Sequence, residues 1–232
     1  MSLDTAGLTR YVATELSARA DPTAALGMAA YLKTDMPFYG IKKPGRTPVV
    51  AEMLRLFPPT DRAAYRAGVS ALWNLEHREE KYAALAYARA FPDFIRASEL
   101  PLYESLVRQG AWWDLVDEVA IKLVGGVLRG EPAWQVVEPW IDDSDLWMRR
   151  TAIICQIDHK EGTDQDRLFS FCLARADERE FFIRKAIGWA LRSYSYTAPE
   201  EVAAFLVDNQ TELSGLTYRE GAKALIRQGY DL

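Results

Sequence analysis

The chain has 232 residues, 49% of them hydrophobic and 26% charged, which is typical of a globular protein with a substantial core. Its net charge of −5 argues against a protein that coats nucleic acid non-specifically, although a local basic groove is compatible with it. The two cysteines, Cys155 and Cys172, and the two histidines, His77 and His159, lack metal-ligand spacing. We therefore expect no disulfide framework and no metal site.

The N-terminal residues lack a charged region followed by an apolar run, so no secretory signal is predicted. No stretch approaches the roughly 18 consecutive apolar residues of a membrane-spanning helix. We expect a cytoplasmic monomer with no membrane partner.

Helical periodicity recurs from one end of the chain to the other, with no convincing strand alternation. Prolines near first turns, together with Asp and Thr caps, mark many of the starts. The stretch at residues 36–46 is rich in Pro and Gly, which precludes a helix there, and its basic residues suit contact with an anion. Predicted helices cover residues 4–19, 22–33, 47–57, 60–74, 78–90, 101–109, 113–129, 132–140, 145–157, 164–174, 180–193, 199–209 and 218–227.

The connectors are short and polar, and no long linker interrupts them, so we predict one continuous domain over residues 1–232. Many short helices in series predict an all-α fold, an α-solenoid of antiparallel HEAT-like helix pairs. Stacking of this kind creates a concave groove lined by the inner helices. A compact all-α bundle is the alternative architecture.

The helix predicted at residues 113–129 places an acid beside an apolar surface. Trp112 and Val116 belong to an arc that should face the core, whereas Trp113 and Asp117 are four residues apart and share one ridge. An ionised carboxylate at the edge of an apolar surface needs a cation or hydrogen-bond donors, or its pKa rises. The alternative is an exposed Asp on an ordinary amphipathic helix with both Trp residues in the core.

The helix predicted at residues 145–157 poses the opposite problem. Arg150 falls inside the apolar arc, and a guanidinium there requires a fixed anionic partner because it cannot be neutralised. Pairing Arg150 with Asp117, directly or across a groove, solves both problems. At this point a structural salt bridge and a functional charge pair fit equally well.

The third informative helix spans residues 180–193 and carries Trp189 off its apolar stripe, beside Lys185 and Arg192. A Trp among cations suits stacking on a base or sugar while the cations hold phosphates. The alternative is a Trp packed into a neighbouring repeat with its cationic neighbours solvated.

Three segments resemble the motifs of the AlkD-like DNA alkylation repair family: WWDLVD at residues 112–117, WMRRTAI at 147–153 and FIRKAIGWALR at 182–192. A fourth, YLK at 31–33 followed by PFYGIK at 37–42, resembles the N-terminal motif of that family. The four are ordered and spaced as in the family, and the likeness covers nearly the whole chain.

The resemblance implies a HEAT-like fold and a glycosylase that removes N3- and N7-alkylated purines from double-stranded DNA without a cofactor. By position, Asp117 matches the essential carboxylate, Arg150 the active-site arginine, Trp113 and Trp189 the paired aromatic residues, and Tyr31 a further aromatic near the lesion. The remaining residues expected to bind DNA are basic: Lys42, Lys43, Arg46, Arg149, Lys185 and Arg192.

Two other functions remain compatible with the sequence. One is a non-catalytic HEAT-like module that binds unusual or branched DNA through the same groove. The other is a protein-interaction solenoid, which the acidic pI of about 5.2 favours mildly.

Overall fold

The computed structural model describes residues 3–232, and within this range it contains helices and no strand. The predicted all-α class is therefore confirmed. Met1 and Ser2, the first residues of the predicted domain, lie outside the described residues. The chain groups into two compact units that meet in sequence between Ile95 and Arg96. That the whole chain forms one continuous domain stays a prediction.

The first unit is built around α1, whose Leu8, Val12 and Leu16 are almost fully buried. This helix packs against α3, α4 and α5, and α4 also packs along α5. A spacing of four residues places these leucine and valine side chains on one face, which explains why the sequence pattern predicted the helix. The helices of this unit are α1 (Thr5–Ser17), α2 (Pro22–Leu32), α3 (Lys43–Leu56), α4 (Arg62–Trp73) and α5 (Arg78–Ala90).

The second unit is organised around α10, which contacts α6, α7, α11 and α12, while α12 in turn packs against α13 and α14. A π-helical turn at Val119–Val124 joins α7 to α8. The helices of this unit are α6 (Leu100–Gly110), α7 (Trp113–Glu118), α8 (Gly125–Gly130), α9 (Trp134–Val137), α10 (Leu146–Ile154), α11 (Gln165–Ala174), α12 (Phe181–Tyr194), α13 (Pro199–Asp208) and α14 (Gly215–Arg227).

Side-chain caps fix many helix starts, as expected from the sequence. An oxygen of each capping side chain accepts a hydrogen bond from a backbone N–H of the first turn, which would otherwise lack a partner. Such caps are provided by Asp4, Asp21, Asp61, Asp145, Asp164 and Ser214.

The prediction that residues 36–46 exclude a helix is wrong for their last four positions, because α3 begins at Lys43. Pro44 lies in the first turn, where the missing N–H would have had no intrahelical acceptor in any case. The predicted helix at 132–140 is also shorter than expected: α9 ends at Val137 and continues as a 3₁₀ turn at Glu138–Asp142.

Candidate functional site

Asp117 lies near the end of α7, one helical turn after Trp113. Trp112 has extended backbone dihedrals and precedes the helix, so Trp113 is its first residue. The neighbours Leu115 and Val116 are fully buried, whereas the Asp117 side chain remains 15% exposed. The carboxylate is thus at the edge of the core and still accessible from solvent.

Arg150 reaches Asp117 from α10. Its Nε and Nη2 atoms donate to the two carboxylate oxygens of Asp117, each at 2.7 Å. The remaining Nη1 atom donates to the backbone carbonyl of Phe182 at 2.6 Å. Arg150 is only 5% exposed, so the predicted burial of this arginine with a fixed anionic partner is confirmed. We call this arrangement the Asp117–Arg150 pair.

Two opposing influences act on the pKa of Asp117. Burial raises the pKa above its ordinary value, because a carboxylate loses hydration when it leaves water. The two hydrogen bonds from Arg150 work against this rise, since they stabilise the charged form. Asp117 therefore depends on Arg150 for its charge.

An aromatic layer adjoins the pair. Trp112 packs against Phe182 at a centroid separation of 5.4 Å and against Trp147 at 5.8 Å, and Trp147 contacts Phe182 at 5.0 Å. The carbonyl of Phe182 is also the third acceptor of Arg150. The guanidinium carbon of Arg150 lies 6.0 Å from the centre of the Phe182 ring, which is where this layer meets the pair.

Trp113 and Trp189 are both half-buried. Trp113 shares the ridge of Asp117 on α7. Trp189 lies on α12 seven residues after Phe182, which places it on the same face of the helix about 10 Å further along the axis. Both indoles border solvent within the second unit. Direct contact of either ring with DNA stays a prediction.

The basic residues predicted around Trp189 have acidic partners within the protein. Lys185 and Arg192 both reach the carboxylate of Glu220 on α14, at 3.0 Å and 2.6 Å. Neither cation is therefore freely solvated in the way that the alternative interpretation of this helix expected. Both remain partly exposed, so phosphate binding by them stays a prediction.

Arg149 forms more contacts within the protein than Lys185 or Arg192 does. Its Nε atom lies 2.6 Å from Glu178, and its Nη1 atom donates to the carbonyls of Asp143 and Ser144 at 2.7 Å and 2.9 Å. Only 13% of its side chain is exposed. These contacts give Arg149 a structural role, and its predicted contact with DNA has no further support.

The other residues predicted to bind DNA belong to the first unit. Tyr31, on α2, is 76% exposed, an unusual position for a large aromatic ring. Lys42 and Lys43 are also exposed, at the start of α3. Arg46 is half-buried, donates to the carbonyl of Ile41 at 2.9 Å and lies over the ring of Tyr82 at 4.3 Å.

A buried carboxylate that the sequence did not single out holds the loop before α3. Glu79 is fully buried, and it accepts hydrogen bonds from the N–H groups of Tyr39, Gly40 and Ile41 at 2.8–3.0 Å. Gly40 has a φ of +89°, and a Cβ there would lie 2.1 Å from the carbonyl of Asp21. The loop therefore requires glycine and is fixed by a distant acid.

Within the described residues, no group of three or more His, Cys, Asp or Glu side chains is placed to hold a metal ion. Both cysteines are buried free thiols. His159 is also buried, and its Nε2 lies 2.9 Å from the carbonyl of Gly125. Burial lowers the pKa of this imidazole, so it is uncharged near neutral pH.

Among the residues that the structure describes, no helix is both long and apolar enough to cross a membrane.

Sequence reasoning missed three contributors to this region: Glu220, Lys223 and the Phe182 carbonyl. A backbone acceptor leaves no trace in the sequence. The spacing of Glu220 and Lys223, three apart on α14, was a visible signal for a charge pair on one helix face. It gave no information on which other helix the pair would meet.

Comparisons with known proteins agree with the resemblance seen in the sequence. The profile of the DNA alkylation repair enzyme family matches residues 12–225. A solved structure from Enterococcus faecalis, described as a predicted DNA alkylation repair enzyme, is 31% identical and superposes with a TM-score of 0.79. The match covers 89% of this chain and 96% of that one. No protein of curated function matches significantly. The predicted family and fold class are confirmed: the chain belongs to the DNA alkylation repair enzyme family.

Proposed function

We propose that this protein is a DNA glycosylase that hydrolyses the N-glycosidic bond of N3- and N7-alkylated purines in duplex DNA. Membership of the repair family supports a role on alkylated DNA. The observation that carries the finer proposal is the Asp117–Arg150 pair, in which a buried guanidinium fixes both oxygens of a carboxylate that still reaches solvent.

The chemistry requires an anion rather than an acid. A purine alkylated at N3 or N7 already carries positive charge, so it leaves with the electron pair of the glycosidic bond without prior protonation. The sugar then develops positive charge at C1′, and water adds to that carbon and releases a proton. A carboxylate beside C1′ stabilises the positive sugar and orients or deprotonates the water. Asp117 has this role in our proposal.

Arg150 keeps Asp117 ionised and oriented. Burial alone would favour the protonated carboxyl, which could not stabilise a cation. Two parallel hydrogen bonds hold the plane of the carboxylate, so little reorganisation is needed when charge develops on the sugar. An anchoring contact between Arg150 and a DNA phosphate is a further part of the proposal.

The aromatic residues hold the damaged nucleotide in this proposal. Trp113 and Trp189 stack against the deoxyribose and backbone, and cation–π attraction to the rings grows as the sugar becomes positive. Tyr31 contributes a further aromatic contact near the lesion. The basic residues Lys42, Lys43, Arg46, Lys185 and Arg192 bind phosphates. No metal or organic cofactor takes part. The monomeric state and the cytoplasmic location stay predictions.

One observation favours a second candidate, a non-catalytic module that binds unusual or branched DNA. Both carboxylate oxygens of Asp117 are occupied by Arg150, as they would be in a purely structural ion pair. In that case Asp117 stabilises the contact between α7 and α10 and does no chemistry.

Base release separates the two candidates. Wild-type protein is incubated with methylated duplex DNA under single-turnover conditions, and free 7-methylguanine is quantified alongside a gel-shift measurement of binding. We expect release by the wild type and a loss of at least about 100-fold in Asp117→Asn, the usual effect of removing one preorganised electrostatic contact.

The matched control is Asp143→Asn, which weakens another bidentate Asp–Arg contact, with Arg108 at 2.5 Å and 3.1 Å; here the arginine side chain is 38% exposed, in contrast to the buried Arg150. We expect this variant to retain activity within about twofold, since exposed pairs contribute little to stability. Binding without base release by the wild type would favour the module. Equal release by wild type and Asp117→Asn would remove Asp117 from the mechanism.

A further inference from the structure

Three cations from two helices converge on one carboxylate in the second unit. Lys185 and Arg192 extend from α12, and Lys223 extends from α14, where it is three residues after Glu220. Each forms an ion pair with Glu220, whose side chain is 9% exposed. We call these four residues the Glu220 cluster.

The Glu220 cluster carries an excess of positive charge. One carboxylate balances one of its three cations, which leaves a local charge of +2 on a protein whose net charge is −5. Within residues 3–232, Lys185, Arg192 and Lys223 have no acidic partner other than Glu220. Like charges held this close repel each other, so a second anion would relieve a repulsion that Glu220 only partly offsets.

The packing of α12 on α14 brings the charges together. Gly188 lies between Lys185 and Arg192 in the sequence, and a Cβ at this position would be 2.4 Å from the Cβ of Glu220. The absence of a side chain lets Glu220 approach the helix backbone between the two cations. The three favourable contacts outweigh the cost of burying Glu220, and the pKa of its carboxyl is lowered to about 2, so it remains ionised.

The cations still have donors to offer. The exposed fractions of the Lys185, Arg192 and Lys223 side chains are 36%, 27% and 48%. Arg192 uses only Nη1 for Glu220, and its Nε and Nη2 groups have no partner among residues 3–232. An ammonium group has three N–H donors, and they cannot all point to one carboxylate, so Lys185 and Lys223 each keep a donor for another acceptor.

The location of the Glu220 cluster relates it to the proposed active site. Trp189 follows Gly188 directly and lies one turn after Lys185 on α12. Phe182, whose carbonyl accepts from Arg150, lies on the same helix face two turns before Trp189. Trp189 therefore lies among the residues of α12 that belong to the Glu220 cluster, on the helix that also supplies the Phe182 carbonyl to Arg150.

We propose that the Glu220 cluster is a binding site for a DNA phosphodiester, and that Lys223 is a phosphate-contacting residue alongside Lys185 and Arg192. This inference rests on the proposed function only in taking DNA as the ligand. A phosphodiester carries one negative charge, which the local +2 accepts, and its oxygens suit the free donors of a guanidinium and two ammonium groups. The attraction from three cations outweighs the repulsion from Glu220.

The salt dependence of DNA binding tests the proposal directly. A fluorescein-labelled duplex without alkylated bases is the probe, and its affinity for wild type and Lys223→Gln is measured by fluorescence anisotropy between about 50 and 200 mM salt. In a plot of log affinity against log salt concentration, each phosphate contact makes the slope steeper by about 0.9. We expect the magnitude of this slope to be smaller by about 0.9 in the variant. This corresponds to a salt-induced loss of affinity about 3.5-fold smaller over that interval.

The matched control is Lys122→Gln. Lys122 is 37% exposed and pairs with a single carboxylate, that of Asp158, so its charge is already balanced. We expect its slope to equal that of the wild type. A lower melting temperature of Lys223→Gln with an unchanged slope would show that the Glu220 cluster only joins α12 to α14, and would overturn the proposal. An equal fall of the slope in Lys122→Gln would do the same, because it would reflect general charge.

The failure of this proposal is distinguishable from failure of the proposed glycosylase. If the wild type releases no alkylated base but the salt slope is smaller in Lys223→Gln, the phosphate site is supported and the glycosylase activity is refuted. If base is released and the salt slope does not change, the glycosylase activity is supported and the phosphate site is refuted.

Discussion

Replacing Arg150 by methionine tests whether the Asp117–Arg150 pair is as tightly coupled as its geometry indicates. The change keeps an unbranched apolar stem but removes three hydrogen bonds, two to Asp117 and one to the carbonyl of Phe182. Only 5% of Arg150 is exposed, so water cannot replace the lost donors fully. Removing one partner of such a pair costs about 3–5 kcal/mol. Since globular domains unfold at a cost of about 5–15 kcal/mol, the variant should remain folded but clearly weakened.

The loss of stability should depend on pH, because Arg150 is the group that opposes the effect of burial on the Asp117 pKa. Without it, the pKa of Asp117 in the folded variant lies further above the unfolded value. Between these two pKa values the folded state holds a proton that the unfolded state releases, so the free energy of unfolding falls as the pH rises. The deficit relative to wild type should therefore be smaller at about pH 5 than at about pH 8.

Urea unfolding monitored by far-UV circular dichroism at both pH values measures these effects. The double variant Arg150→Met with Asp117→Asn provides the control. A neutral amide needs no cation, so the double variant should be more stable than Arg150→Met alone near neutral pH. A loss below about 1 kcal/mol that is equal at both pH values would mean that the pair behaves as a solvated surface bridge, and our reasoning would be refuted.

Two further variants test neighbouring features. Trp189→Ala should slow base release. The control is Trp134→Ala, at another half-buried tryptophan, which should shift the melting temperature by a similar amount and slow base release less. If Trp189→Ala instead lowers the free energy of unfolding by about 3–5 kcal/mol with little effect on base release, Trp189 is a core residue. Glu79→Gln should cost about 1.5–3 kcal/mol, because an amide cannot accept from all three backbone N–H groups that the carboxylate holds. Amide hydrogen exchange at residues 39–41 should become faster, and unchanged protection there would argue against Glu79 as the anchor of the loop.

Local periodicity predicted most of the fold because helices such as α4, α6, α12 and α14 have a clear apolar face, whereas α2 buries only Leu32. The spacing on α12 predicts a core stripe of Ile183, Ile187, Ala190 and Tyr194; the first three are buried, and Tyr194 is half-buried. Helix ends were less well predicted. The Pro and Gly content of residues 36–46 predicts no helix there, but α3 begins at Lys43 because proline in a first turn is compatible with a helix.

The candidate site was partly predictable for a chemical reason. A guanidinium cannot be neutralised, so an arginine on an apolar face indicates that an anion lies near it. Asp117, predicted at the edge of an apolar surface, required a cation or hydrogen-bond donors and was therefore the expected partner. The sequence could not decide between a direct pair and a pair across a groove. The structure shows direct contact at 2.7 Å, with the Phe182 carbonyl as the third acceptor.

The sequence alone thus determined the helical class, the buried faces and the requirement that Arg150 and Asp117 find partners, because these follow from periodicity and from the cost of burying charge. Only the tertiary structure decided which groups meet. Glu79 anchors a loop about 40 residues away, and Glu220 collects cations from a separate helix. Such contacts depend on how closely two helices approach, as at Gly188, and that distance is a property of packed surfaces rather than of any local pattern.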